Sequence, residues 1–164
     1  MSIKAITQMV ERLIDIHEQL IDLAAKKTEL IKQNNMKALE LLVREESKLA
    51  HKLQTTELLR SKTVKTFLLE QGEAKENVTI SDVKAFATEE EKQILDQHQD
   101  QLIKHVVELK TLNQLNQELI EESLRFVNLS LDLMLPHKED VSYNPLDHED
   151  RPFEHGRSLF DSKA

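Results

Sequence analysis

Apolar residues recur at alternating intervals of three and four along the first 33 residues of the chain. They are Ile6, Met9, Leu13, Ile16, Leu20, Leu23 and Leu30, with Lys27 as the one polar interruption. This spacing predicts a helix from about Ser2 to Gln33 that packs as the helices of a coiled coil do. A second apolar set widens this seam, which predicts contact with two neighbouring helices. Its members are Ile3, Val10, Ile14, Ile21 and Ile31.

Asn34 and Asn35 interrupt this pattern. Asparagine tolerates left-handed backbone geometry at a helix end and also caps a following helix well. A second helix is predicted from about Met36 to Glu70. The first 70 residues are therefore expected to form an antiparallel helical hairpin.

The apolar stripe of the second helix contains one acidic residue, Glu46. Its apolar members are Leu39, Leu42, Leu49 and Leu53, and beyond them the stripe moves to another face at Val64 and Leu68. Antiparallel folding places Glu46 near the level of Lys27. Two interpretations remain open: an ion pair that sets the register of the hairpin, or two side chains that extend to solvent at the helix edge.

Two shorter signals precede the last helix. Gly72 and Asn77 lie among charged residues, so residues 71–78 are predicted to form a loop. A short helix from Ile80 to Phe86 is expected to follow, capped by Thr79 or Ser81.

The last helix is predicted to begin at Thr88, because Glu91 three residues later completes a capping box. It meets no helix breaker before Pro136. We expect its seam to be buried as a core as far as Leu133. The seam consists of Leu95, His98, Leu102, His105, Leu109, Leu112, Asn116, Leu119, Ser123, Phe126, Ser130 and Leu133.

The helical period ends at Pro136. Residues 136–164 contain three prolines and many charges, and they are predicted to form an irregular C-terminal tail. Isolated apolar residues in a polar tail are typical of a docking segment. The predicted fold is all-α: an elongated antiparallel helical bundle of three long helices and one short helix over residues 1–135, followed by this extended tail.

Composition narrows the possible functions. The chain has 164 residues, two glycines, no cysteine and a formal net charge of −8. Phosphate backbones and anionic lipids bind clustered Lys and Arg, so neither nucleic acid nor a membrane surface is an expected partner. The sequence has no apolar run near the roughly 20 residues that a membrane-spanning helix needs, and Met1–Lys4 does not resemble a signal peptide. A cytoplasmic location is expected.

The sequence contains few of the residue patterns that metal sites or catalytic sites need. His98 and His105 share the seam, but they lie about 10 Å apart along the helix axis and cannot share an ion. No histidine follows a Glu by three residues, as the carboxylate-bridged metal bundles require. Only two glycines are present to build a phosphate loop or a nucleophile turn. We expect no enzyme activity, no metal and no cofactor.

Asn116 is an unusual polar position in the seam of the last helix. A lone Asn in such a seam lowers stability and fixes register or the number of partners. It could act between molecules, or it could set packing inside one chain.

Several segments together resemble the FlgN family of flagellar export chaperones. In Leu112–Glu121, two asparagines three apart (Asn113 and Asn116) are followed by Leu-Ile. Pro136-His137-Lys138-Glu139, with Tyr143 seven residues after the proline, is similar to the element that follows the last helix in this family. The acidic pair before Leu49 and the ending Leu159–Ala164 also resemble family segments. Asn144-Pro145 departs from the pattern, because the family often has Gly after the tyrosine.

The resemblance implies a cytosolic chaperone that binds amphipathic terminal segments of hook-associated proteins, the proteins of the hook–filament junction, as clients. It also implies delivery of these clients to the cytoplasmic domain of the flagellar export gate, with Tyr143 as the gate-docking residue. The expected client-binding residues lie at the end of the last helix and in the tail. They are Leu119, Phe126, Leu133, Leu146, Phe153 and Phe160.

Two other classes remain as alternatives. One is a coiled-coil adaptor or oligomerisation protein unrelated to export, and the other is a helical-bundle enzyme or metal carrier.

Overall fold

The computed structural model describes residues 2–135, and within them the secondary structure is helical, with no strand. The helices are α1 (Ile3–Lys32), α2 (Met36–Glu70), α3 (Ile80–Lys84) and α4 (Glu89–Met134). The prediction of an all-α bundle with three long helices and one short helix is confirmed. The chain divides into two compact units between Arg125 and Phe126.

The turn between α1 and α2 forms as its two asparagines predict. Asn34 adopts the left-handed region with φ 55°, and the Asn35 amide donates 3.0 Å back to the carbonyl of Leu30. This is the hydrogen bond of a Schellman motif at a helix C-terminus. Asn35 then caps α2, because its side-chain oxygen accepts from the Ala38 amide at 3.2 Å.

The hairpin of α1 and α2 contains the predicted ion pair. Lys27 Nζ donates to both carboxylate oxygens of Glu46, at 3.2 and 3.3 Å. The side chains are 17% and 27% exposed, so the pair is mostly covered by the two helices. The ion-pair interpretation is therefore confirmed over the one in which both residues reach solvent separately.

The main core lies where all four helices meet in the first unit. Its buried members are Ile3, Ile6, Val64, Phe67, Leu68, Val83 and Leu95. Val64 and Leu68 are fully buried, which confirms the predicted shift of the α2 stripe beyond Leu53. The ring of Phe86 packs edge-on against that of Phe67, with the ring centroids 6.3 Å apart.

Side-chain caps lie at the N-termini of both α3 and α4. Thr79 caps α3, and the Asp82 carboxylate accepts from the Thr79 amide at 2.9 Å. Helix α3 ends at Lys84, two residues earlier than predicted. At the start of α4, the Thr88 amide donates to Glu91 at 3.0 Å and the Glu91 amide donates to the Thr88 hydroxyl at 3.3 Å. The capping box predicted from this sequence is confirmed.

Helices α1 and α4 run parallel in the first unit. His98 faces Glu11, His105 faces Glu18, and Asn116 bonds to Thr28, so residue numbers rise together on both helices. This direction follows because the hairpin reverses the chain once and the α3 segment reverses it again.

On α4, the buried residues end well before the end of the predicted seam. Phe126 is 71% exposed and Leu133 is 79% exposed, so the expectation of a core as far as Leu133 is wrong. The offset of 88 residues between Thr28 and Asn116 places Lys32, the end of α1, level with Ile120. In this register α1 supplies partners for the α4 seam only up to that level. Periodicity reveals which residues share a face, but burial also requires a partner.

Candidate functional site

The last ten described residues, 126–135, form a dense apolar surface that we term the apolar end of α4. Seven of the ten are large apolar residues, and all seven are exposed. Phe126, Leu133 and Met134 are 71%, 79% and 80% exposed. The others are Val127, Leu129, Leu131 and Leu135. Contiguous exposed apolar surface of this kind is typical of interaction sites, which makes the apolar end the candidate site.

The apolar residues surround most of the helix. At about 100° per residue, the polar Asn128 and Asp132 share one narrow side, and the apolar residues occupy the remaining directions. Ser130 lies among the apolar residues, but its hydroxyl donates 2.9 Å back to the Phe126 carbonyl and so is satisfied within the helix. A helix that is apolar on most sides is normally buried. This surface is therefore suited to binding another apolar surface.

The structure places three of the six residues expected to bind clients. Phe126 and Leu133 lie two turns apart on one face of the apolar end. Leu119 lies on α4 in the first unit and is half-buried. Leu146, Phe153 and Phe160 lie outside the described residues, as does Tyr143.

Five members of the apolar end lie off the three-and-four spacing of the predicted seam. They are Val127, Leu129, Leu131, Met134 and Leu135. The signal that could have identified them is apolar density, since residues 126–135 contain only three polar side chains. Such density is excessive for a helix that contacts a single neighbour.

The polar seam positions of α4 make contacts with α1 inside the first unit. His98 Nε2 lies 3.8 Å from Glu11 Oε1, and His105 Nε2 lies 3.9 Å from Glu18 Oε1. The Nδ1 atom of each ring is buried without a hydrogen-bond partner in the described part of the chain. Both rings therefore face an acidic side chain of α1.

Asn116 also acts within the chain. Its side chain is only 2% exposed, and it bonds to both Ala24 and Thr28 on α1. The sequence left two roles open for Asn116, one between molecules and one inside a single chain. Its contacts within the described residues are those of packing inside one chain. Asn113, the other asparagine of the pair, is exposed.

Residues 2–135 offer few features for other chemistry. They contain no group of three or more metal-ligating side chains. None of their helices combines the length and apolarity needed to cross a bilayer. A hydrogen bond from Lys75, aided by Thr79, lowers the pKa of Asp82 to about 2. This carboxylate caps α3 and has a structural role.

These features describe an all-helical chain with an exposed apolar surface, and comparison with known proteins identifies its family. The family model described as "FlgN protein" matches residues 1–146. The chain is 34% identical to "Uncharacterized protein YvyG" of Bacillus subtilis (strain 168), over the full length of both proteins. No solved structure gives a significant match. The chain belongs to the FlgN family, which indicates a general role as a flagellar export chaperone.

Proposed function

We propose that this protein is a cytoplasmic export chaperone that binds amphipathic terminal segments of hook-associated proteins and delivers them to the export gate. Binding is stoichiometric and requires neither catalysis nor a cofactor. The observation that carries the proposal is the apolar end of α4, where seven large apolar side chains are exposed within ten residues.

An amphipathic client segment is the chemical complement of this surface. Subunits that later assemble through helical termini expose apolar stripes as monomers, and a helix with apolar anchors can cover such a stripe. Burying four or five large side chains returns about 1.5–3 kcal/mol each. The loss of translational and rotational freedom on binding costs about 4–15 kcal/mol, which offsets much of the gain from burial. The apolar end therefore supports moderate affinity, and tighter capture requires further contacts.

The first test is titration of the full-length protein with a peptide that carries the helical terminus of a hook-associated protein. Phe126→Ala combined with Leu133→Ala should weaken binding at least tenfold, because buried aromatic and large apolar anchors dominate such contacts. A matched control changes Leu69 and Val107 to Ala, since these are 54% and 59% exposed but lie outside the apolar end. Equal weakening by both double variants would contradict the proposed site.

The tail residues Leu146, Phe153 and Phe160 are proposed to supply the further contacts. They recur every seven residues, which is the period of a client's own apolar stripe. A variant that ends at Leu135 should retain its helicity and lose client affinity. Tighter binding by this variant would instead identify the tail as a competitor of the client.

Delivery to the export gate is proposed to depend on Tyr143. Tyr143→Ala should leave client affinity unchanged while secretion of hook-associated proteins falls. A parallel fall in client affinity would place the tyrosine in the client site.

Self-association through the apolar end is the competing explanation, as in a coiled-coil adaptor. Sedimentation of the free protein over a range of concentrations separates the two. A stable oligomer that Phe126→Ala dissociates would favour the adaptor.

A further inference from the structure

A second surface lies on α2, along a line of exposed residues outside the buried core of the first unit. At intervals of three and four, Lys37, Leu41, Arg44, Lys48, Lys52, Thr55, Leu59 and Lys62 share one helix face, which we term the basic stripe of α2. All eight are exposed. At 1.5 Å per residue the stripe is about 37 Å long.

The stripe contrasts with the charge of the rest of the chain. The net charge of the protein is −8, and α4 contains ten acidic and four basic residues, whereas α2 contains seven basic and five acidic residues. Five of the seven basic residues lie on the stripe and none of the acidic ones does. Among the described residues, its four lysines form no ion pair, and Arg44 bonds only to Glu40, at 2.6 Å.

The stripe also presents leucines between its cations. Leu41 is 57% exposed and Leu59 is 46% exposed. Leu58, beside the stripe, is 65% exposed. The residues that anchor α2 in the core, such as Val64 and Leu68, lie about 160° around the helix from the centre of the stripe. These leucines are therefore not required for packing within the first unit.

We propose that the basic stripe of α2 binds an acidic amphipathic helix of a partner protein, with leucines in contact and carboxylates facing the lysines. Charge complementarity decides the class of partner. Glu40 and Glu45 flank the stripe on either side, so a flat anionic bilayer would meet these carboxylates as well as the lysines. A single helix is narrow enough to contact the stripe alone. The site is distinct from the apolar end of α4 and does not depend on client binding.

The probe is a designed helical peptide of about 25 residues, with leucines at intervals of three and four and glutamates elsewhere. The full-length protein should bind it at low ionic strength and bind it less tightly as salt rises. A second peptide with lysines in place of the glutamates should not bind.

The decisive variant combines Lys48→Glu with Lys52→Glu. Both lysines are exposed and unpaired within residues 2–135, so the fold should be retained, as circular dichroism can verify. Affinity for the acidic peptide should fall about tenfold or more, and the lysine peptide should now bind. Lys65→Glu with Lys104→Glu makes the same change in net charge off the stripe, at two exposed lysines, and should leave affinity nearly unchanged.

Three results would overturn the proposal. The first is no binding of the acidic peptide at low salt. The second is an equal loss of affinity for that peptide in both double variants. The third is binding of the protein, through Lys48 and Lys52, to vesicles containing anionic lipid more tightly than to the peptide. If charge reversal reduced helicity, Lys48→Ala with Lys52→Ala would provide the same comparison with less perturbation.

Discussion

Asn116 on α4 donates a hydrogen bond of 2.9 Å from its side-chain amide to the main-chain carbonyl of Ala24 on α1. The hydroxyl of Thr28 donates 2.6 Å to the side-chain oxygen of the same asparagine. Both side chains are buried. Because these bonds form at only one relative position of the two helices, they fix the register of α1 and α4.

Replacing Asn116 tests this arrangement. Asn116→Ala should lower the free energy of unfolding by about 1–3 kcal/mol, because the two buried hydrogen bonds between α4 and α1 are lost and a cavity forms. Urea denaturation measures the change. Asn113→Ala is the matched control: it removes an exposed asparagine three residues away and should change stability by less than about 0.5 kcal/mol. Equal effects would mean that the buried bonds contribute no specific stability.

A second prediction concerns the Lys27–Glu46 ion pair, whose two side chains are mostly covered. Glu46→Ala should destabilise the protein by about 1–3 kcal/mol, because it leaves the ammonium group of Lys27 covered and unpaired. Lys27→Met with Glu46→Leu should be neutral or stabilising, since the pair then becomes part of the apolar stripe. A double variant less stable than the wild type would show that the ion pair is a net source of stability.

Two phenylalanines in different environments should respond differently to truncation. Phe67 is 4% exposed in the core, and Phe67→Ala should lower the free energy of unfolding by about 3–5 kcal/mol. Phe126 is 71% exposed, and Phe126→Ala should change the free energy of unfolding by less than about 1 kcal/mol. Thermal or urea unfolding of both variants measures the contrast. A large loss for Phe126→Ala would mean that its ring is buried in solution.

The Asp82 cap predicts how stability depends on pH. Hydrogen bonds from Lys75 and Thr79 lower the pKa of Asp82 from 3.8 to about 2 in the folded protein. A carboxylate with a lowered pKa stabilises the fold above its unfolded pKa and loses that contribution as the pH falls through its folded pKa. The difference in melting temperature between wild type and Asp82→Asn should therefore be full above about pH 4 and shrink toward pH 2.

Titration of Asp82 by NMR provides the control. Lys75→Ala should raise the pKa of Asp82 toward its ordinary value, because the lysine hydrogen bond is the largest cause of the shift. An unchanged pKa would assign the shift to Thr79 instead.

Much of the helical framework was predictable from local sequence. The bounds of α2 and the capping boxes depend on residues within four positions of each other, such as Asn35 with Ala38 and Thr88 with Glu91. Bonds over so short a distance depend on residue types that the local sequence shows directly. The seams of α1 and α2 were also predictable, because the two helices are joined by a short turn that leaves one antiparallel arrangement.

The tertiary structure decided what lies opposite each seam. Leu95, Asn116 and Phe126 belong to one continuous pattern on α4, yet the first two are buried and the third is exposed. The apolar pattern specifies a helix face, whereas burial depends on where the neighbouring helix ends. Thr28 and Asn116 are 88 residues apart in sequence. Their pairing, and with it the level at which α1 ends beside α4, joins residues too distant in sequence for any local spacing to encode.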